Sequence, residues 1–182
     1  LMKEPERLYE SLEAYYSEYE QCNNAMWSNK LGLSEFNEGD GELIKELTAN
    51  LQLVETDMTI FFRLLSSLNE PNIEHLRYAF YDEETIPSVE WNNWLDKWWK
   101  RVDGQPDRET MRSSNPKYVL RNWMAQLAID AAEKEDYSVA QELYVLLKQP
   151  CAEQPEHEEK WFQKRPEWAR HRVGCSMLSC SS

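Results

Sequence analysis

The stretch from Glu6 to Leu31, ERLYESLEAYYSEYEQCNNAMWSNKL, decides the fold class. Leu8, Leu12, Tyr15, Tyr16, Tyr19, Cys22 and Met26 recur every three or four residues, the spacing that gathers side chains on one face of an α-helix. The spacing predicts one long amphipathic helix over residues 6–31, with Cys22 on the buried stripe as a small hydrophobe. Gly32 follows directly and is a plausible stop, because glycine enters the left-handed region that closes a helix.

The same period continues outward. Residues 34–41 carry the Ser, Asn, Gly and Asp of a loop, and Leu43, Ile44, Leu47, Leu51 and Val54 then restart the pattern. Asp57 can cap a helix with the stripe Met58, Phe61, Phe62, Leu65 and Leu68, which Asn69-Glu70-Pro71 breaks. The spacing from Ile73 to Tyr81 is ambiguous between helix and strand, and helix is the expectation. Ser88 reads as the cap of a helix carrying Trp91, Trp94, Leu95, Trp98 and Val102, ended by Gly104 and Pro106, with a short helical stretch at 107–113. Asn115-Pro116 has the signature of a helix start, a preferred N-cap followed by a proline at the first helical position, and predicts a helix to about Lys134. Ser138 with Gln141 reads as a capping box for a further helix that Pro150 stops. No stretch alternates apolar and polar residues as a half-buried strand does. The expected fold is therefore all-α: one multi-helix domain over residues 1–172, followed by a flexible cysteine-containing tail over 173–182.

Composition narrows the function. The 182 residues carry 20 Lys and Arg against 33 Asp and Glu, a formal net charge of −13, which repels phosphate backbones and anionic lipids; neither a nucleic acid nor a membrane is an expected partner. Residues 1–60 hold 13 acids and 4 bases, so most of the excess is a solvated acidic face at the start of the chain. Five glycines leave little material for a phosphate-binding loop. No apolar run is long enough to span a bilayer, and no signal peptide is visible. The opening Leu-Met-Lys-Glu-Pro reads as an internal boundary of a longer chain.

Candidates for chemistry are sparse. His75, His157 and His171 form no paired helical metal motif; His157 sits among Glu156, Glu158 and Glu159 as in an exposed acidic loop. The spacing of His171, Cys175 and Cys180 is unlike that of structural zinc sites, so no metal or cofactor site is expected in this segment. The carboxylate pairs Glu83-Glu84, Glu158-Glu159 and Asp130/Glu133 read as surface charge, and no serine is nominated as a nucleophile with a histidine partner. Trp91, Trp94 and Trp98 share one helical face and read as core; Trp99 lies about 100° off it and reads as an interface residue. Cys175 and Cys180 fall in the terminal segment, where solvent and oxidants reach a thiol.

Two stretches carry a resemblance. Asn115-Pro116-Lys117-Tyr118-Val119-Leu120-Arg121-Asn122-Trp123, followed by Ala125-Gln126, Ala128-Ile129 and Ala131-Ala132, resembles the C-terminal region of the selenoprotein O family. So does the ending, Arg165-Pro166-Glu167-Trp168 and then Ser179-Cys180-Ser181-Ser182, where family members place a Cys or selenocysteine before two serines. Lys30-Leu31-Gly32-Leu33 and Phe61-Phe62-Arg63 are similar to the region that follows the family's catalytic core.

The resemblance implies a pseudokinase fold and protein AMPylation, in which AMP passes from ATP to a Ser, Thr or Tyr hydroxyl with Mg or Mn. It implies that the nucleotide- and metal-binding residues precede this segment, which therefore holds no catalytic residue. The implied partners are the N-terminal kinase-like lobe of the same chain and protein substrates. The implied location is the cytoplasm in bacteria and the mitochondrion in eukaryotic relatives. The family's use of selenocysteine at the position of Cys180 implies a redox role there, with Cys175 or a thiol of the preceding lobe as partner and Arg170 and Arg172 as candidate supporting cations. The competing expectation is a self-standing helical interaction module whose acidic face binds a basic partner.

Overall fold

The computed structural model describes residues 5–175, with side chains from residue 8 onward. Within them the chain is helical: α1 (Pro5–Leu31), α2 (Asp40–Asn50), α3 (Met58–Leu65), a 3-10 segment (Ile73–Ala79), α4 (Ser88–Arg101), α5 (Arg108–Ser114), α6 (Asn122–Ala132), α7 (Ser138–Leu147), α8 (Pro155–Trp161) and α9 (Glu167–Arg170). The described residues contain no sheet. Thr56 and Phe80 form an isolated β bridge, flanked by Asp57 N–H to Ala79 O at 2.7 Å and Tyr81 N–H to Glu55 O at 2.9 Å.

The buried residues form two cores. The first gathers Leu31, Leu47, Ile60, Phe61, Leu65, Leu76, Phe80, Trp91, Trp94, Leu95, Trp98 and Met111, drawn from α1 to α5. The α4 tryptophans do more than fill volume. Trp94 and Trp98 stack in parallel at 6.1 Å, the Trp94 indole donates to Leu43 O at 2.8 Å, and the Trp98 indole to Leu31 O at 2.9 Å. An indole buried without a partner costs free energy, so these two bonds fix where α4 meets α2 and the end of α1. The second core, from Tyr118, Trp123, Met124, Leu143, Leu146, Trp161, Ala169 and Cys175, lies where α6 packs on α7. Phe162 touches both cores.

Several expectations hold. Asp57 caps α3 by accepting from Ile60 N–H at 3.1 Å. Gly32 adopts φ +67°, and a Cβ there would lie 2.8 Å from Met111 Sδ, so both the turn and the close approach of α5 require glycine.

Others are corrected. Asn115 is the C-cap of α5, not the N-cap of a helix; residues 115–121 run without helix and α6 begins at Asn122. Tertiary partners outbid the local cap. The Asn115 amide accepts from Lys30 Nζ at 2.7 Å and donates to Lys30 O at 2.9 Å, and the N–H groups of Lys117 and Tyr118 both reach Pro150 O. Leu120, which a helix begun at Pro116 would turn inward with Trp123, Met124 and Leu127, is exposed. Trp99, read from the sequence as an interface residue, is instead half-buried against Gly104 and packs on the first core of this chain. Ser138 begins α7 but does not cap it; Asp136 accepts from the Ser138 N–H at 2.9 Å instead. Ser88 starts α4 without capping it, its hydroxyl turned to Ile86 O. Cys22 is exposed, because nothing described covers that face of α1.

Candidate functional site

Between the two cores, buried Arg63 and Lys117 meet the half-exposed carboxylates of Glu153 and Glu158. Arg63 sits in the apolar run of α3 and is only 5% exposed. Its guanidinium donates to Arg112 O at 3.0 Å, to Asn115 O at 3.3 Å, to Cys151 O at 3.2 Å and to the Glu153 carboxylate. Lys117, 4% exposed, donates to Glu153 Oε2 at 3.0 Å, Glu158 Oε2 at 2.8 Å and Glu153 O at 3.0 Å. The Tyr118 hydroxyl lies 3.0 Å from both Glu153 O and Gln154 O. Gln154, at φ +41°, turns the chain sharply so that Glu153 and Glu158 flank one ammonium.

The titration directions follow from the pairing. Burial alone would raise Glu153, but the hydrogen bond from Lys117 and the charge of Arg63 overcome it and hold the carboxyl below its usual range. Burial alone would lower Lys117, and the bonds to Glu158 and Glu153 reverse it. Burial pushes the Tyr118 phenol up. Alongside, Arg121 grips Asp57 with two hydrogen bonds, one at 2.9 Å, and donates to Gln163 O at 3.1 Å. Lys164 donates to Phe80 O at 2.6 Å. The seam thus ties α3 and the 3-10 segment to the loops around α8.

Chemically the seam is saturated. Arg63, Lys117 and Arg121 are spent on carboxylates and carbonyls, so it offers a triphosphate no free cationic cradle. No group of three His, Cys, Asp or Glu among the described residues is arranged to hold a metal.

The residues singled out in the sequence lie elsewhere. Cys175 is buried in the second core rather than open to oxidants, and Asn122 Nδ2 donates to its carbonyl at 3.1 Å. Cys180 lies outside the described residues. Arg172 makes a two-bond pair with Asp130, at 2.7 and 2.9 Å, and Arg170 reaches Glu55 at 3.2 Å; both supporting cations are already engaged. His157 is not a loop residue open to water: it is half-buried on α8, 3.5 Å from Glu142. His171 is exposed. The signal for the seam was present in the sequence, since Arg63 interrupts an apolar helix and Asn115, Lys117, Tyr118 and Arg121 all fall in one of the stretches that carry the family resemblance.

A second feature is the exposed length of α1. Residues 8–22 are all exposed, including Leu8, Tyr9, Leu12, Tyr15, Tyr16 and Tyr19.

The family model described as protein adenylyltransferase SelO matches residues 1–148. The chain belongs to the SelO family. It is 48% identical to the protein nucleotidyltransferase YdiU of Flavobacterium johnsoniae, across 100% of this chain and 37% of that protein. It is 44% identical to the YdiU of Aromatoleum aromaticum, across 97% of this chain and 35% of the relative. With the YdiU of Rhodopirellula baltica it shares 42% identity, across 100% of this chain and 38% of the relative. The chain thus spans a little over a third of the length of these relatives and corresponds to their C-terminal part. In this SelO-family chain the seam joins α3 to the loops around α8. No described helix is long and apolar enough to cross a membrane.

Proposed function

We propose that the chain is the C-terminal helical part of a protein adenylyltransferase that moves AMP from ATP to Ser, Thr or Tyr hydroxyls of proteins. The observation that carries this reading is the match of the whole chain to the C-terminal part of proteins named protein nucleotidyltransferase. In this reading a kinase-like catalytic lobe precedes the segment and binds ATP with Mg or Mn. The helical part contributes no reacting group and supports that lobe from outside. Its charged seam, closed on itself, suits a scaffold. Bacterial relatives favour a cytoplasmic setting. Cys180 stays the candidate redox thiol; Cys175 becomes its partner only if it leaves the second core, so a thiol of the preceding lobe is the better candidate.

The test is mass spectrometry of the full-length protein incubated with ATP and Mg or Mn. AMP adducts on hydroxyl side chains are expected. Their absence with either metal overturns the activity. For the thiol, differential alkylation of the full-length protein before and after mild reduction is expected to protect Cys180 only in the oxidised sample. Equal labelling in both samples removes the redox role.

A further inference from the structure

Helix α1 uses two different faces at its two ends. At its C-terminal end Ser28 and Leu31 are buried and Trp27 is half-buried against the first core. Along the rest of the helix, Leu8, Leu12, Tyr15, Tyr19, Cys22 and Met26 line another face. At about 100° of rotation per residue, that face is centred roughly 140° round from Leu31, about 160° from Ser28 and about 100° from Trp27. The stripe is therefore not a continuation of the side that α1 already buries. Its exposures are large: 60% for Tyr15, 59% for Tyr19, 45% for Leu8 and 41% for Leu12. The Tyr15 ring stacks on Tyr19 at 6.2 Å and meets Tyr16 edge-on at 5.7 Å, and all three rings stay exposed. The opposite side of the helix carries Glu10, Glu13, Ser17, Glu20 and Gln21, so one face is built for water and the other for burial. An apolar face this continuous marks an interaction site.

Resting on the reading above, we propose that the Leu8–Met26 stripe is the docking surface for the preceding catalytic part of the same polypeptide. The length of chain outside the structure argues for this occupant. Most of each relative's length lies ahead of the part this chain matches, and it joins the matched part at the end where the exposed stripe begins. A tethered segment meets the stripe at an effective concentration on the order of millimolar, so it outcompetes a second copy at ordinary protein levels. The complementary surface is apolar and aromatic. A basic rim would pair with Glu18, about 80° from the centre of the stripe.

The experiment uses the full-length protein with p-benzoylphenylalanine in place of Tyr15, and separately in place of Ser17 on the opposite face. Irradiation is expected to give intramolecular cross-links from position 15 to residues that precede Leu1, at least about tenfold more than from position 17. Cross-links to a second copy, to another protein or to nothing overturn the proposal, as do equal yields from the two positions. A second measurement needs no substitution. Cys22 lies on the stripe and is exposed here, so docking is expected to slow its alkylation in the native full-length protein at least tenfold relative to the denatured one; labelling at the denatured rate overturns the proposal. AMP transfer is assayed on the same samples. Its absence with the cross-links present sinks the activity alone, and its presence without them sinks the docking alone.

Discussion

Helices α1 and α4 carry the same kind of pattern and meet opposite fates. Each presents aromatic residues at helical spacing: Tyr15, Tyr16 and Tyr19 on one, Trp91, Trp94 and Trp98 on the other. The α4 rings are almost wholly buried, while the α1 rings are more than half exposed. Periodicity reports that a helix has a face to bury; it does not say what covers that face. For α4 the cover is α2 and the 3-10 segment, within this chain. For α1 it is not among the described residues.

The contrast can be broken most directly in α4. Trp94→Ala removes a fully buried ring, its stacking on Trp98 and its bond to Leu43 O, and is expected to destabilise the 182-residue chain by about 4 kcal/mol in urea unfolding. Arg63→Ala strips the seam of the guanidinium that holds three carbonyls and Glu153, with an expected loss of about 3 kcal/mol by the same measurement. Asn115→Ala frees both ends of the Lys30 contact, with an expected loss of about 2 kcal/mol and faster amide exchange in the last turn of α1.

The acid limb sharpens the account of the seam. Folding holds the Glu153 carboxyl below its ordinary value of 4.5, so its ionised form stabilises the fold above that pH and the contribution disappears as pH falls through the lower folded value. Between pH 4.5 and the folded value, the urea midpoint of the wild type is expected to fall more steeply than that of Glu153→Gln. Smallest of all, Tyr15→Ala is expected to change the stability of the 182-residue chain by less than about 0.5 kcal/mol. In the full-length protein the same substitution costs about 2 kcal/mol if the ring is docked. Equal small effects in both chains would leave α1 and α4 different in kind, not merely in which part of the protein covers them.

What the sequence revealed and what it hid divide along the range of the interactions. The helical stripes, the Gly32 stop and the Asp57 cap are set by neighbours a few residues away, and all three were legible. Asn115-Pro116 misled because its local signature is sound, yet the amide is used on Lys30, 85 residues earlier. Residue types hinted at the seam, but its pairings were not legible for the same reason: Arg63 meets Glu153 across 90 residues, and Lys117 meets it across 36. Only the presence of an arginine inside Phe61-Phe62-Arg63-Leu64-Leu65 hinted that a counter-charge had to lie beneath. Cys175 looked terminal and therefore open, but the packing of α6 on α7 closes over it.

The fixed end of α1 has a mechanical consequence. Leu31 O is held by the Trp98 indole, Gly32 O by the Asp107 N–H at 3.1 Å, and Lys30 by Asn115, so the helix is clamped over its last turn. At ~1.5 Å per residue its 27 residues reach about 40 Å, and a tilt of about 5° at the clamp swings the far end by about 3.5 Å. The helix is a lever whose fulcrum is Asn115, and Asn115 O is also bound by Arg63. Force applied at the tyrosines is delivered to the Asn115 end of the seam.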